Sequence, residues 1–208
     1  MSDSPFLAPV LMHIGWTQPA KVIYFIYSFL CHQLPQRSFF LFGEQFTYPL
    51  TEIQNAWQFT ADVRILRDFI GNPGMGWKVA WSDRMVAMYT SIWFFSMIWA
   101  RWLRKVNLTL LGRSLLILPL AIDGTTHMIS DFAGIGQGFR DSNFWLVQLT
   151  NRSLPVSFYQ GDMIGSFNSW MRLVTGSFFG LGIALFGLPH FDLTFGDHTQ
   201  HKENSNQS

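Results

Sequence analysis

The stretch Cys31-His32-Gln33-Leu34-Pro35-Gln36-Arg37-Ser38 follows a mainly apolar run at 22–30. It brings together a thiol, an imidazole, a proline that stops a helix, and a fixed cation. Two further polar clusters, at 82–84 and 123–127, also stand at the ends of apolar runs. From these positions we predict that all three clusters meet on one face of a membrane.

The composition is typical of a membrane protein rather than a soluble domain. Only 13% of the 208 residues are charged and 17% are aromatic, whereas charged residues make up about 25% of soluble domains. A formal net charge of +1 gives no indication of nucleic-acid binding. The low fraction of charged residues makes the lipid bilayer the expected partner. The single cysteine, Cys31, excludes an internal disulfide and a metal site made of cysteines alone.

Four apolar segments predict the fold class, an all-α integral membrane four-helix bundle. The spans are expected at about 19–34, 85–100, 107–123 and 170–188, within a membrane domain at 19–188. Residues 1–18 are predicted to form an N-terminal interfacial segment, too short to cross a bilayer, and residues 189–208 a disordered polar tail. The connection at 36–83 is predicted to be extracytoplasmic and to contain an interfacial helix, because apolar residues from Ile53 to Ile70 recur at roughly helical spacing.

Charge sets the predicted orientation. The short linker between the second and third spans has no acidic residue and four basic ones: Arg101, Arg104, Lys105 and Arg113. An excess of Lys and Arg in a short loop marks the cytoplasmic side. An even number of spans then puts both termini in the cytoplasm and the polar clusters at the outer face of the plasma (inner) membrane.

A GxxxG pattern in the fourth predicted span indicates helix packing. It consists of Gly176 and Gly180. Glycines at this spacing allow a neighbouring helix to approach closely. We therefore expect this face of the span to contact another helix.

The polar clusters supply the candidate functional residues. They are Cys31, His32, Arg37, Asp83, Arg84, Asp123, His127 and Arg172. Structural roles are an alternative for each of them. The arginines can anchor helices at lipid phosphates, Asp83 can cap a helix, and His32 can bind the last carbonyl groups of the first span.

Asp123 is the candidate that most needs a partner. It follows an apolar run at the C-terminal end of a predicted span, where the helix dipole disfavours a carboxylate. A carboxylate near hydrocarbon needs a compensating group, and Arg84 and Arg172 are the cations on neighbouring helices. His127 and Asp131 follow at four-residue intervals and share one stripe with Asp123 if the helix continues.

Several short motifs occur in a fixed order along the chain. They are Cys31-His32-Gln33, Pro35, Arg37-Ser38-Phe39-Phe40 and Gly43, then Asp123-Gly124 and Thr126, then Arg172, Thr175 and Gly176. This order resembles the predicted membrane proteins of domain-of-unknown-function family 2085. The resemblance covers most of residues 20–185 and implies a multi-span membrane architecture, and the family has no established activity to carry over.

Two positions depart from that family. Where its members typically have Cys-x-Arg-Cys, this chain has Ser82-Asp83-Arg84-Met85, and His127 stands in place of the usual glutamine of the third motif. A Cys-His pair with two further cysteines would suit zinc, which favours four nitrogen or sulfur ligands. Here the weak metal candidates are Cys31, His32, Asp123 and His127. Hydrogen-bonded ion pairs are the more economical account, so no cofactor is expected and a bound metal ion is kept as an alternative.

Three functions are open. The first is a non-catalytic subunit or accessory factor that uses the polar cluster and the GxxxG face to hold a membrane-protein partner or a second copy of the chain. The second is a membrane-embedded enzyme or a metal or redox site built on Cys31, His32, Asp123 and His127. The third is a small transporter, which is less well supported because the polar groups lie at one end of the predicted spans.

Overall fold

Helices and one antiparallel sheet make up the part of the chain that this computed structural model describes, residues 4–103 and 108–205. The helices are α1 (Ser4–His13), α2 (Thr17–Ser28), α3 (Leu50–Ala56), α4 (Val63–Asp68), α5 (Asp83–Ile98), α6 (Leu110–Asp131), α7 (Phe139–Ser142), α8 (Phe144–Leu149), α9 (Val156–Tyr159) and α10 (Phe167–Ser205). The strands are β1 (Ser38–Leu41), β2 (Gly71–Asn72) and β3 (Gly76–Ser82). A 3-10 turn at Pro35–Arg37 precedes β1, and a π-helical turn at Trp99–Leu103 extends α5.

The sheet has the strand order β1-β3-β2, and both neighbouring pairs are antiparallel. Its central strand reads Gly-Trp-Lys-Val-Ala-Trp-Ser, with aromatic and β-branched residues that favour strands. Residues 78–81 are all buried, so side chains on both faces of β3 are covered. Because β3 leads directly into α5 at Asp83, the sheet fixes where that helix begins.

The first two helices cover β3. Ala8 of α1, Ala20 of α2 and Ala80 of β3 belong to one apolar cluster and are fully buried. The hydroxyl of Tyr24 donates a hydrogen bond to the carbonyl oxygen of Lys78, which ties α2 to the strand. At 12 residues, α2 is about 18 Å long and too short for the roughly 30 Å of a bilayer core.

The three long helices pack side by side. α5 and α10 run in the same direction, because Asp83 contacts Arg172 near their first turns and Ser91 lies against Gly180 further along. α6 runs the opposite way, since Asp123 in its second half contacts Arg84 at the start of α5. All three helices therefore present one end to the sheet and the other end away from it.

Glycines set the close contact between α10 and α5. A Cβ atom at Gly180 would overlap the Ser91 hydroxyl and lie 2.8 Å from the backbone nitrogen of Ile92. A Cβ atom at Gly176 would lie 3.0 Å from the Cβ of Ala87. The structure thus places both glycines of the GxxxG pattern against a helix.

The predicted four-helix membrane bundle is wrong, because the fold is mixed α/β with a three-stranded antiparallel sheet. Within the described residues, the helix at Phe167–Pro189 is the one that is long and apolar enough to cross a membrane. The predicted span at 19–34 fails because α2 ends at Ser28 and packs on the sheet. α5 has only 16 residues, and α6 includes the charged Arg113 and Asp123.

The predicted interfacial helix between 53 and 70 is divided into α3 and α4. Asp62 interrupts it, since its carboxylate accepts a 2.8 Å hydrogen bond from the backbone nitrogen of Arg64 and caps α4. The residues on either side of these helices form the sheet. The connection at 36–83 is therefore a folded layer with its own core, which includes Phe40, Ile53 and Phe69.

Other segments also differ from the prediction at their ends. α6 continues through Asp131 rather than ending near residue 123. The N-terminal segment at 1–18 contains α1, which packs on β3. α10 continues through Ser205, where the sequence predicts a disordered tail at 189–208. Within the basic linker, residues 104–107 lie outside the described residues.

The contact of α10 with α5 can be tested at Gly180. We expect Gly180→Ala to lower the free energy of unfolding by about 1–3 kcal/mol, because the added methyl group overpacks the contact with Ser91. Gly187→Ala is the matched control, since its nearest neighbour would lie at 4.0 Å. Denaturant titration of both variants in detergent is the measurement, and equal unfolding midpoints would contradict this packing.

Candidate functional site

Charged residues from distant parts of the chain meet at the end of the long helices that faces the sheet. They are Arg37, Arg84, Arg140, Arg172, Asp83, Asp123, Asp131 and Asp162, here called the arginine–aspartate network. Their side chains are between 1% and 22% exposed. Buried charges are tolerated only when they are paired, and in this network four positive charges meet four negative ones.

Asp123 binds two arginines. One carboxylate oxygen accepts a 2.7 Å hydrogen bond from Arg84 of α5, and the other accepts a 2.8 Å hydrogen bond from Arg140 of α7. The Asp123 side chain is 1% exposed. Both oxygens are therefore engaged, and α6 is joined to α5 and α7 by one side chain.

His127 lies one helical turn beyond Asp123 and is also buried. Its Nε2 atom is 3.1 Å from the guanidinium of Arg140. Because a guanidinium only donates hydrogen bonds, Nε2 accepts here and Nδ1 carries the proton of the neutral ring. Within the described residues, no hydrogen-bond partner faces the buried Nδ1.

The other half of the network is a chain of alternating charges. Arg172 of α10 donates to both oxygens of Asp83 at 2.8 Å and to Asp162 at 2.6 Å. Asp162 also accepts from Arg37 at 2.7 Å, and Arg37 forms a two-bond contact with Asp131 at 2.6 and 2.7 Å. This chain connects α10, α5 and α6 to the segment just before β1.

The pKa shifts outside the long helices follow from these pairs. Burial alone would raise the pKa of Asp162, but Arg37 and Arg172 more than offset it and hold that pKa well below its usual range. Burial likewise opposes the charged form of Arg37, but Asp162 and Asp131 raise its pKa above the ordinary value. Both groups are therefore charged throughout the physiological pH range.

Two buried asparagines hold Arg140 in place. Asn168 accepts a 3.1 Å hydrogen bond from Arg140 Nε and donates to the Arg140 carbonyl oxygen at 2.7 Å. Asn143, which adopts a left-handed backbone conformation with φ of 42°, donates to the same carbonyl at 2.6 Å. These bonds fold the connection between α6 and α10 back onto the helices.

Cys31 and His32 line a cavity of about 200 Å³ beside the network. Arg37, Arg84 and Arg172 also line it, so five of the eight sequence-predicted residues surround one space. The Nε atom of Arg84 is buried and has no hydrogen-bond partner within the described residues. The remaining three predicted residues, Asp83, Asp123 and His127, do not line this cavity. Each of them contacts an arginine of the network.

Gln33 and Lys78 hold the loop that carries Cys31. Gln33 has a positive φ of 52°, and its side-chain nitrogen donates to the carbonyl oxygen of Tyr24 at 2.9 Å. The ammonium of Lys78 donates to the Gln33 carbonyl oxygen at 2.9 Å and to the carbonyl oxygen of Arg67. Burial lowers the pKa of Lys78 to about 7, although Cys31 acts to raise it.

The weak metal candidates are divided between two places. Cys31 and His32 line the cavity, while the polar atoms of Asp123 and the Nε2 of His127 contact arginines. In the described part of the chain, no group of three or more His, Cys, Asp or Glu side chains is arranged to hold a metal ion. In this arrangement the four side chains do not share a coordination centre.

Sequence reasoning missed three members of this region. Arg140 and Asp162 lie in the connection between α6 and α10, and Lys78 lies in β3. The connection has few apolar residues in a regular pattern, so nothing in it shows which charges fold back to the helices. Two acids, Asp141 and Asp162, lie in this connection, and the sequence does not distinguish the one that joins the network.

Comparison with known proteins gives one relative of unassigned function. The chain is 26% identical over 150 residues to an uncharacterized protein of Methanocaldococcus jannaschii, which covers 68% of this chain and 72% of the relative. No family model matches the chain, and no solved structure matches it. The comparisons therefore add no reaction, ligand or partner to the site.

Asp123 offers a test of the network. Asp123→Asn leaves Arg84 and Arg140 without their carboxylate, and we expect a loss of about 3–5 kcal/mol in the free energy of unfolding. The double variant with Arg84→Met should lose less than the sum of the two single losses, because one unpaired charge is removed. Arg64→Ala, at an exposed pair with Asp62, is the control and should unfold like the wild type. Additive losses in denaturant titrations would show that the pair is not coupled.

Lys78 predicts a pH dependence of stability. Its pKa is lowered from 10.5 to about 7 in the folded protein, so between these values the unfolded chain binds a proton that the folded chain does not. Stability should therefore rise with pH across this window, by up to about 1.4 kcal/mol per pH unit from this group. Below pH 7 Lys78 is charged in the folded and the unfolded protein, so the free energy of unfolding is reduced by the full cost of burying the charged amine.

The measurement is denaturant unfolding at pH 7, 8 and 9. Lys78→Met should show a shallower rise in stability with pH than the wild type. Lys21→Met, at an exposed position on α2, should keep the wild-type slope. Identical slopes for Lys78→Met and the wild type would contradict a lowered pKa of Lys78 in the folded protein.

Proposed function

We propose that the protein is a non-catalytic membrane accessory factor in which a largely buried polar network holds the fold and an apolar helical surface contacts a partner. The observation that carries the proposal is the pairing within the arginine–aspartate network. Each of the four carboxylates contacts at least one guanidinium, so these groups hold the protein together and have little capacity left for acid–base chemistry. The network then serves as a structural joint.

The outward faces of the long helices support a membrane location. Large apolar side chains there are at least 40% exposed: Trp93, Phe94, Met97, Leu111, Leu115, Leu118, Ile122, Val174, Phe178 and Phe186. Exposed apolar patches of this extent mark membrane or protein contacts. In the proposal α10 crosses the plasma membrane within Phe167–Pro189, with Arg172 of the network at the outer boundary of the bilayer. The exposed apolar faces of α5 and α6, which are not candidate spans by themselves, contact lipid beside it.

The proposed orientation follows from charge. Residues 85–122 contain basic residues but no Asp or Glu, and Arg101 and Arg113 stand at the end of the helices away from the sheet. The basic end is therefore assigned to the cytoplasm. The network, the sheet and α1 then lie outside, which replaces the expectation of two cytoplasmic termini, because that expectation required a span at 19–34.

We also infer that the chain is a divergent member of domain-of-unknown-function family 2085. The support is spatial, since Cys31, His32 and Arg37 of the first motif and Arg172 of the last line one cavity. Arg84, which stands in the altered second motif, lines the same cavity. Residues from motifs that are far apart in the sequence thus line one cavity. This is the arrangement expected if the motifs share one role in the family.

Topology is tested with single cysteines in a Cys31→Ser background. Ser142→Cys should react with a membrane-impermeant maleimide on intact cells, because α7 lies at the network end, whereas Arg101→Cys should react only after permeabilisation. The protein should also stay in the membrane pellet after alkaline carbonate extraction. Release into the supernatant would overturn the proposed membrane location.

The accessory role predicts a stoichiometric partner. Purified in mild detergent, the wild-type chain should retain a second protein or a second copy of itself at a fixed ratio. Trp93→Ala and Phe94→Ala, on the outward face of α5, should lose that partner without loss of stability. Phe59→Ala, 87% exposed between α3 and α4, is the control and should retain it. A wild-type protein that is monomeric and alone under these conditions would contradict the proposal.

A membrane-embedded enzyme or redox site is the second candidate. The specific observation is the cavity of about 200 Å³ beside the Cys31 thiol and the His32 ring. If Cys31→Ser abolishes the cellular function while stability and partner retention are unchanged, this candidate is favoured. The transporter alternative stays a prediction.

A further inference from the structure

A second cavity lies between α6 and α10, at the end of the helices away from the network. Its volume is about 360 Å³, within the range of small-molecule sites. Its lining is apolar except at one end, where Arg113 and Ser114 stand; the apolar part consists of Ile117, Leu118, Ala121 and Phe186. The cavity is thus a groove with a cation at one end and hydrocarbon along its length.

Among the side chains that the structure describes, none of the ion pairs includes Arg113. Its Cζ atom lies 5.0 Å from the centre of the Phe186 ring, a cation–π contact that fixes the guanidinium over the groove. Its Nε atom is buried without a hydrogen-bond partner within the described residues. Neither 85–122 nor 173–189 contains an Asp or Glu. A half-buried guanidinium with no paired carboxylate among the described residues favours an anionic ligand.

The shape of the groove indicates what kind of anion it takes. From Arg113 to Ala121 the helix rises about 12 Å. This part of α6 runs from the end away from the network toward the network, and in the proposed location it runs toward the middle of the bilayer. A molecule with its charge at Arg113 would extend an apolar chain over Ile117 and Leu118. Basic pockets between membrane helices on the cytoplasmic side bind anionic lipid head groups in this manner.

We propose that this groove is a binding site for one anionic phospholipid. The phosphate accepts hydrogen bonds from Arg113, and an acyl chain lies over Ile117, Leu118 and Phe186. An anionic lipid is preferred over a zwitterionic one because a second cation in the head group would stand beside Arg113. This inference rests on the proposed membrane location, and it names a ligand that the location alone does not specify.

The test uses full-length protein purified in a neutral detergent. Unfolding temperature is followed while phosphatidylglycerol, phosphatidylcholine or glycerol 3-phosphate is added, and native mass spectrometry counts bound lipid. Phosphatidylglycerol should raise the unfolding temperature and bind as one retained molecule. Its half-saturating concentration should be about fivefold lower than that of phosphatidylcholine, the effect of one basic residue on an anionic lipid. Glycerol 3-phosphate should have no effect, because it lacks the acyl chain.

Two variants and a control separate the parts of the site. Arg113→Gln should remove the preference for phosphatidylglycerol, while Arg101→Gln, an exposed cation at the same end of the helices, should keep it. Leu118→Trp retains the charge but fills the groove, so it should lose the bound lipid. Because Leu118 is 50% exposed, this variant still reports on the site if Arg113→Gln fails to fold.

Three outcomes would overturn the site. Equal effects of the two lipids would show an unselective apolar surface, and an effect of glycerol 3-phosphate equal to that of the lipid would show a simple phosphate site. Retention of one tightly bound lipid by Leu118→Trp would place it elsewhere. The proposed membrane location is tested separately by carbonate extraction. The lipid titrations are made in detergent, so their result does not depend on that test.

Discussion

Asp123 holds two guanidinium groups, and the rest of the structure depends on this contact. Through Arg84 it fixes α6 to α5, and through Arg140 it fixes the connection that leads to α10. A carboxylate that is 1% exposed is stable only with such partners. The neighbouring chain of pairs through Arg172 then extends the same constraint to the segment before β1. Charge pairing joins the sheet layer to the long helices, together with an apolar cluster in which Met85 of α5 and Leu173 of α10 pack against Phe39, Val79 and Trp81.

Part of the candidate site could be predicted from single residues. A carboxylate at the end of an apolar run needs a cation, and the structure pairs Asp123 with Arg84, one of the two arginines considered. The other, Arg172, contacts Asp83 and Asp162 instead. Arg140 was not foreseen, because its position depends on hydrogen bonds of asparagine side chains to backbone carbonyls. Such bonds have no periodicity that a sequence pattern shows.

The fold was predicted less well, for a physical reason. A short apolar run is compatible with a bilayer or with a buried protein layer, and α2 and β3 cover one another. The apolar run of α2 was therefore predicted to be a span, although it packs on the strand that forms the centre of the sheet. The apolar stretch of α10 is long enough for its helical state to be evident from length alone.

The sequence separation of the charge pairs determines when they can form. Arg37 and Asp162 are 125 positions apart, and Asp83 and Arg172 are 89 apart. α1, α2 and the sheet are all complete by Ser82, so their contacts are available early in synthesis. Closing loops of this length costs chain entropy and slows folding. The pairs of Arg172 therefore cannot form until α10 has been synthesised, and until then Asp83 lacks its partner.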